Sequence, residues 1–229
     1  MATVGRGSLG RSVALLVAWI TTTSALFGGC TDLFRPAKPE APSPTTGGEE
    51  ITPDYSQPSS GLETIAKGIA AKARGQTAYI GAFADSTRDR YPFYADFDPE
   101  VVRRIESSGG TVPVWNLARE KFFYPAFMQV RTQNYVMRWT GNEAAGDDDF
   151  DPVTGDSTLH RRYEVFAVSD DGNTLSTIAV GLADLRFKHV SASRWAIVRW
   201  QDYVDPAIGI NPGDPDQITL GERRLKSQG

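Results

Sequence analysis

Arg194-Trp195-Ala196-Ile197-Val198-Arg199-Trp200-Gln201-Asp202 is the stretch whose reading decides the fold. It is rich in β-branched and aromatic residues, and Ser191-Ala192-Ser193 marks a turn just before it, so it reads as a strand. Three earlier runs share that character: residues 128–139, 161–168 and 176–188. Gly141-Asn142 and Asp171-Gly172-Asn173 punctuate them, and Asp-Gly between two such runs is a strong hairpin signal. The second half of the folded part is therefore a meander of long antiparallel strands.

Upstream the periodicity changes. Leu62, Ile65, Ala66, Ile69, Ala70 and Ala73 recur at helical spacing, behind Ser60-x-x-Glu63, which fits a capping box. Gly75 is expected to end that helix, and Tyr79, Ile80 and Phe83 mark a second, short one. Asp98-Pro99-Glu100 reads as a further N-terminus, with Asp98 as N-cap and Pro99 at the first helical position. Val101, Val102 and Ile105 form its buried face, and Gly109-Gly110 stops it. A fourth helix is expected over 114–123, ahead of Pro125. Helices followed by strands give an α+β class with the helices packed on one face of an antiparallel sheet.

The N-terminal region gives an address. Arg6 and Arg11 precede an apolar run from Val13 to Ile20, then Thr21 to Ser24, then Leu26-Phe27-Gly28-Gly29-Cys30. A basic start, a short apolar segment and a small-residue cleavage site make a secretory signal peptide. The apolar run is well short of the roughly 20 residues a membrane span needs. The stretch resembles a bacterial lipoprotein signal, with Phe27 where leucine is usual. That resemblance implies cleavage after residue 29, lipid on Cys30, and a cell-envelope location facing the periplasm or exterior. Residues 30–60 are rich in Pro, Ser, Thr, Gly and Glu, the composition of a flexible tether. A single domain is expected over 61–206, followed by a polar tail over 207–229, either docked or loose.

Composition excludes much. Cys30 is the only cysteine, so an intramolecular disulfide, a thiolate zinc site and an iron–sulfur cluster have no ligands. The net charge of -4 becomes -6 once Arg6 and Arg11 leave with residues 1–29, and there is no basic stripe for nucleic acid. Gly-x-Ser-x-Gly, P-loop and His-Glu-x-x-His motifs are absent, and no cofactor is expected. Asp147, Asp149 and Asp151 have the spacing of a calcium loop. Pro152 and Thr158 stand where such a loop needs Gly and Glu, so a solvated acidic hairpin is the expectation and no metal site is assigned. His160 and His189 fall at strand termini and read as solvated or capping residues.

The segments Ala71-Lys72-Ala73-Arg74-Gly75 and Ala82-Phe83-Ala84-Asp85-Ser86, with the final strand and the order of elements, resemble the NTF2-like superfamily. That superfamily holds the ketosteroid isomerases and SnoaL-type cyclases. The resemblance covers about 61–206. It implies a cystatin-like cone, a strongly curved sheet wrapped around a helix with an apolar pocket inside, and often a dimer. Asp98-Pro99 could stand at the isomerase base. The oxyanion tyrosine would fall near Gly68 and the protonated aspartate at Ala183, so that machinery is not reproduced.

Two functional classes follow. In the first, the domain is non-catalytic, binding a small apolar ligand through Trp115, Phe123, Tyr135, Trp200 and Asp202, or recruiting an envelope protein or a second copy at the sheet face. In the second, it is an isomerase or dehydratase with Asp98, Asp184 or Asp202 as base in the cone. A carboxylate raised toward neutrality inside an apolar cavity would favour the enzyme. A filled cone would favour a purely structural subunit of a membrane complex. Trp200 and Asp202 are expected on one face of the last strand, with Trp195, Ile197, Arg199 and Tyr203 on the other.

Overall fold

A computed structural model of the chain describes residues 50–129, 133–208 and 218–227. The signal peptide, Cys30 and most of the tether lie outside the described residues. Everything described belongs to one unit, residues 44–229.

Helix α1 runs from Pro58 to Ala70. Its N-cap is Gln57, and Ser60 occupies the third helical position, where its hydroxyl accepts from the Gln57 N–H. The capping box therefore exists three residues earlier than Ser60-x-x-Glu63, because Pro58 supplies the first helical φ and has no N–H to satisfy. A 3-10 turn over Lys72–Gly75 leads straight into α2, Gln76–Gly81. Gly75 does not simply end a helix. A Cβ there would sit 1.8 Å from the Gly68 carbonyl oxygen, so only glycine lets this turn fold back onto α1.

Helix α3 covers Ser86–Asp89, strand β1 Tyr94–Asp96 and helix α4 Pro99–Ser107. Asp98 caps α4, accepting from the N–H groups of Glu100 and Val101. Strand β2 is Trp115–Asn116, and α5 runs from Leu117 to Met128 with Pro125 inside it. The expectation that this helix stops before Pro125 is corrected. Glu120, Phe123, Tyr124, Phe127 and Met128 are buried while Pro125 is on the exposed side. Burial of one whole stripe outweighs the lost N–H of a proline facing solvent.

The strands are β3 (Asn134–Gly141), β4 (Asp149–Asp151), β5 (Asp156–Val168), β6 (Leu175–Ser191) and β7 (Arg194–Tyr203). They order as β2-β1-β7-β6-β5-β3, with β4 beside β5. All pairings are antiparallel except β1 with β7, where Tyr94 lies opposite Arg199 in a parallel ladder. Bulges near Val165, Phe187 and Ser191 bend the long strands. The expected α+β class, helices on one face of a curved and largely antiparallel sheet, is the one observed.

One bulge overturns a facing. Leu185 pairs with Trp200 while Phe187 pairs with Ile197, so β7 spends three residues where β6 spends two. Ile197 consequently shares the core face with Trp200, and both are fully buried. Strict alternation fails across an inserted residue.

The folded body also extends past both expected limits. Ahead of residue 61, the Tyr55 hydroxyl donates to the Ala78 carbonyl at 2.8 Å and its own carbonyl accepts from Trp195 N–H at 2.7 Å. Asp54 and Thr64 exchange hydrogen bonds, so residues 54–60 belong to the domain rather than to a tether. Beyond 206, helix α6 (Leu220–Lys226) is docked rather than loose, and Leu220, Gly221, Glu222 and Arg224 are buried.

Candidate functional site: a cone closed from within

The inner face of the sheet and helices α2 and α5 enclose a group of aromatic rings with two charged side chains at its centre. Glu120 reaches it from α5, at the helical spacing that also buries Phe123, Tyr124 and Phe127. Arg224 reaches it from α6 and is fully buried. The guanidinium meets the carboxylate as a fork: Nε donates to Glu120 Oε2 at 3.0 Å and Nη2 to Oε1 at 2.9 Å. Glu120 also accepts from the Tyr79 hydroxyl at 2.5 Å and the Trp115 indole N–H at 2.6 Å. Four donors thus satisfy one carboxylate, the condition under which a buried charge is tolerated.

The Arg224 guanidinium carbon lies 4.5 Å from the Trp200 ring centre and 5.6 Å from that of Phe123, within cation–π range. Burial works against its charge, but Glu120 outweighs this and holds Arg224 firmly protonated. Nη1 is buried and has no hydrogen-bond partner among the described residues.

Asp202 forms a second, adjoining network. Its Oδ1 accepts from the Tyr163 hydroxyl at 2.7 Å and its Oδ2 from Gly221 N–H at 2.7 Å. The Tyr163 oxygen in turn accepts from Leu220 N–H at 2.8 Å. A Cβ on Gly221 would stand 2.5 Å from Asp202 Oδ2, so the backbone of α6 is seated directly on the carboxylate. Burial pushes the Asp202 carboxyl above the usual carboxylate range, against the opposing pull of Arg224, Tyr163 and Gly221. That is the electrostatic half of what a base in an apolar cavity needs. Both of its oxygens, however, are already engaged by the chain's own donors.

The predicted site residues separate. Trp115, Phe123, Trp200 and Asp202 gather around Arg224. Tyr135, on β3, is fully buried but packs at the far end of α5, its ring centred 5.8 Å from that of Phe127. Phe122, beside Phe123 on α5, points to solvent at 80% exposure. The three candidate bases do not converge. Asp98 is a cap whose Oδ2 also accepts from Val204 N–H. Asp184 lies across the sheet, bonded to His160 Nδ1 at 2.5 Å and to the Tyr203 hydroxyl at 3.1 Å. Only Asp202 faces the cone.

Sequence reasoning missed the two charges at the centre. Glu120 was signalled by a carboxylate on the apolar stripe of α5. Arg224 was signalled by Leu220 four residues before it on one helical face.

The sheet's outer face is polar. Arg162 pairs with Glu164 at 2.9 Å and Asp205 at 2.7 Å, and Asp156 binds both Arg186 and Lys188. In the acidic hairpin Asp148 pairs with Arg161, Asp149 approaches His160 at 3.4 Å, and Asp151 caps its own turn. His160 is therefore not a free terminal residue. Burial lowers its proton affinity, but Asp184 and then Asp149 outweigh this and raise its pKa above the ordinary value. A raised folded value contributes stability that is full below the unfolded pKa of about 6.5 and disappears as pH climbs through the folded one. Urea midpoints are expected to fall as pH rises above about 6.5 in the wild type, with a shallower slope in His160→Gln. Equal slopes would remove His160 from the outer-face network.

No family model matches the chain, and no curated protein matches it. Solved structures with a similar layout are distant. One is a protein of unknown function from Mycobacterium tuberculosis, 14% identical, covering 74% of this chain and 85% of that one at a TM-score of 0.48. Another is an NTF2-like family protein from Streptomyces avermitilis, 7% identical over 62% of this chain and 88% of that one, TM-score 0.41. A third, from Nostoc punctiforme, has a cystatin-like fold and unknown function, with 10% identity, 64% and 87% coverage, and a TM-score of 0.42. The chain is similar to these NTF2-like and cystatin-like structures in the layout of its fold.

Proposed function

We propose that this chain is a non-catalytic recognition module, held at a bacterial cell envelope by lipid on Cys30. The observation that supports the non-catalytic reading is Asp202. It alone of the candidate bases faces the cone, and the Tyr163 hydroxyl and the Gly221 N–H take its two oxygens. A general base must reach a substrate proton within hydrogen-bond distance, and here the chain's own α6 stands in that place. The outer sheet face carries ion pairs that already satisfy its charges, and recognition is assigned to the cone, where α6 is the covering element.

Native mass spectrometry of the detergent-extracted chain from its own host tests the activity. Bare lipidated protein, or a bound molecule of unchanging mass, fits recognition; a bound molecule converted on incubation overturns it. Cys30→Ser is expected to move the protein from the membrane to the soluble fraction. Unchanged membrane association would sink the lipid anchor.

A further inference from the structure

We propose that the chamber closed by α6 is a guanidinium-recognition site, occupied in this state by the chain's own Arg224, with alkylguanidinium compounds as its ligand class. The proposal deepens the recognition reading and rests on it. Glu120 presents both oxygens in the plane a guanidinium fork needs. Tyr79 and Trp115 fix that carboxylate from the two other sides, so its orientation does not depend on Arg224. Trp200 and Phe123 supply flat walls for a flat cation. An ammonium has no plane to stack and cannot bridge both oxygens in the same way, so the chamber discriminates by shape as well as charge.

Arg224 occupies this chamber incompletely. Its Nη1 is buried without an acceptor among the described residues, and an unmet buried donor weakens the occupant that carries it. Arg224 also rides on a seven-residue helix lying outside the strand ladders. That helix is held by the burial of Leu220 and Arg224 and by bonds, among them Leu220 to Tyr163, Gly221 to Asp202, Arg223 to the Ile178 carbonyl, and Glu222 to Arg104. Its release leaves the sheet's own hydrogen bonds intact and keeps Tyr163 on β5 bonded to Asp202. A ligand bearing the same head group can therefore compete with Arg224 for Glu120.

The test titrates full-length Arg224→Ala with methylguanidinium and with methylammonium, following heat release and melting temperature. Methylguanidinium is expected to bind saturably and about tenfold tighter, since only it makes the fork and the stack. Adding Glu120→Gln is expected to erase that preference. Equal responses to the two cations, or none, would overturn the proposal.

Should Arg224→Ala fail to fold, hydrogen exchange on the wild-type chain decides. Excess agmatine is expected to speed exchange of the 220–226 amides while those of β5 and β6 stay protected, and putrescine is expected to leave both unchanged. No agmatine effect overturns the proposal. Loss of guanidinium preference leaves the non-catalytic reading intact, whereas conversion of a bound molecule overturns that reading alone.

Discussion

Arg224→Ala is expected to destabilise the domain by about 3–5 kcal/mol, the usual loss when one partner of a buried ion pair is removed. Removing it leaves Glu120 fully buried with two neutral donors, the Tyr79 hydroxyl and the Trp115 indole, and no cation. It also detaches α6 from the ring of Trp200. Glu120→Gln alone leaves an unmatched guanidinium in the same space. The double variant Glu120→Gln/Arg224→Ala removes both charges, so its loss should be smaller than the sum of the singles. A coupling of roughly 0.5–3 kcal/mol is the range for residues in one network. Urea unfolding at constant m-value reads all three. Should Arg224→Ala cost under about 1 kcal/mol, as exposed ion pairs do, α6 would not be docked as described.

What the chain announces about its fold, and what it conceals, divides on physical lines. β5, β6 and β7 are long enough that period and composition betray them, and Asp98-Pro99 announces a helix start because capping is local chemistry. Ile197 was misplaced because a bulge changes parity without changing composition. Strand β1 was missed because three residues pairing in parallel with β7 carry too short a pattern. Pro125 stopped the predicted helix because local propensity counts a lost N–H, whereas tertiary burial of Phe127 and Met128 keeps the helix going.

At the site, the aromatic residues were found by type, since large rings near strand and helix centres gather in any α+β core. The charges were not. Glu120 and Arg224 lie 104 residues apart, and the local stripe that carries each gives no sign of its partner. A tail read as polar hid Ile218 just ahead of α6 and Leu220 and Arg224 on its buried side.

Trp200→Ala should likewise cost about 3–5 kcal/mol, the range for emptying a buried aromatic site. Trp200 is fully buried, with the rings of Trp139, Tyr163 and Phe83 centred 5.7, 6.1 and 6.3 Å away. Its loss opens a cavity and deprives Arg224 of its stacking surface. Trp200→Phe separates these effects. It keeps a ring for packing and for the guanidinium, loses the weak 3.4 Å contact of the indole N–H with Asp202, and should cost clearly less. The two substitutions also bear on what the cone is for. If Trp200 only packs, both variants lose stability in proportion to removed volume. If it also forms a wall of the guanidinium chamber, then in the Arg224→Ala background Trp200→Phe weakens methylguanidinium binding more than it weakens the fold. Were Trp200→Ala to leave the urea midpoint unchanged, the side chain would be facing open space, and the cone would not be closed around it.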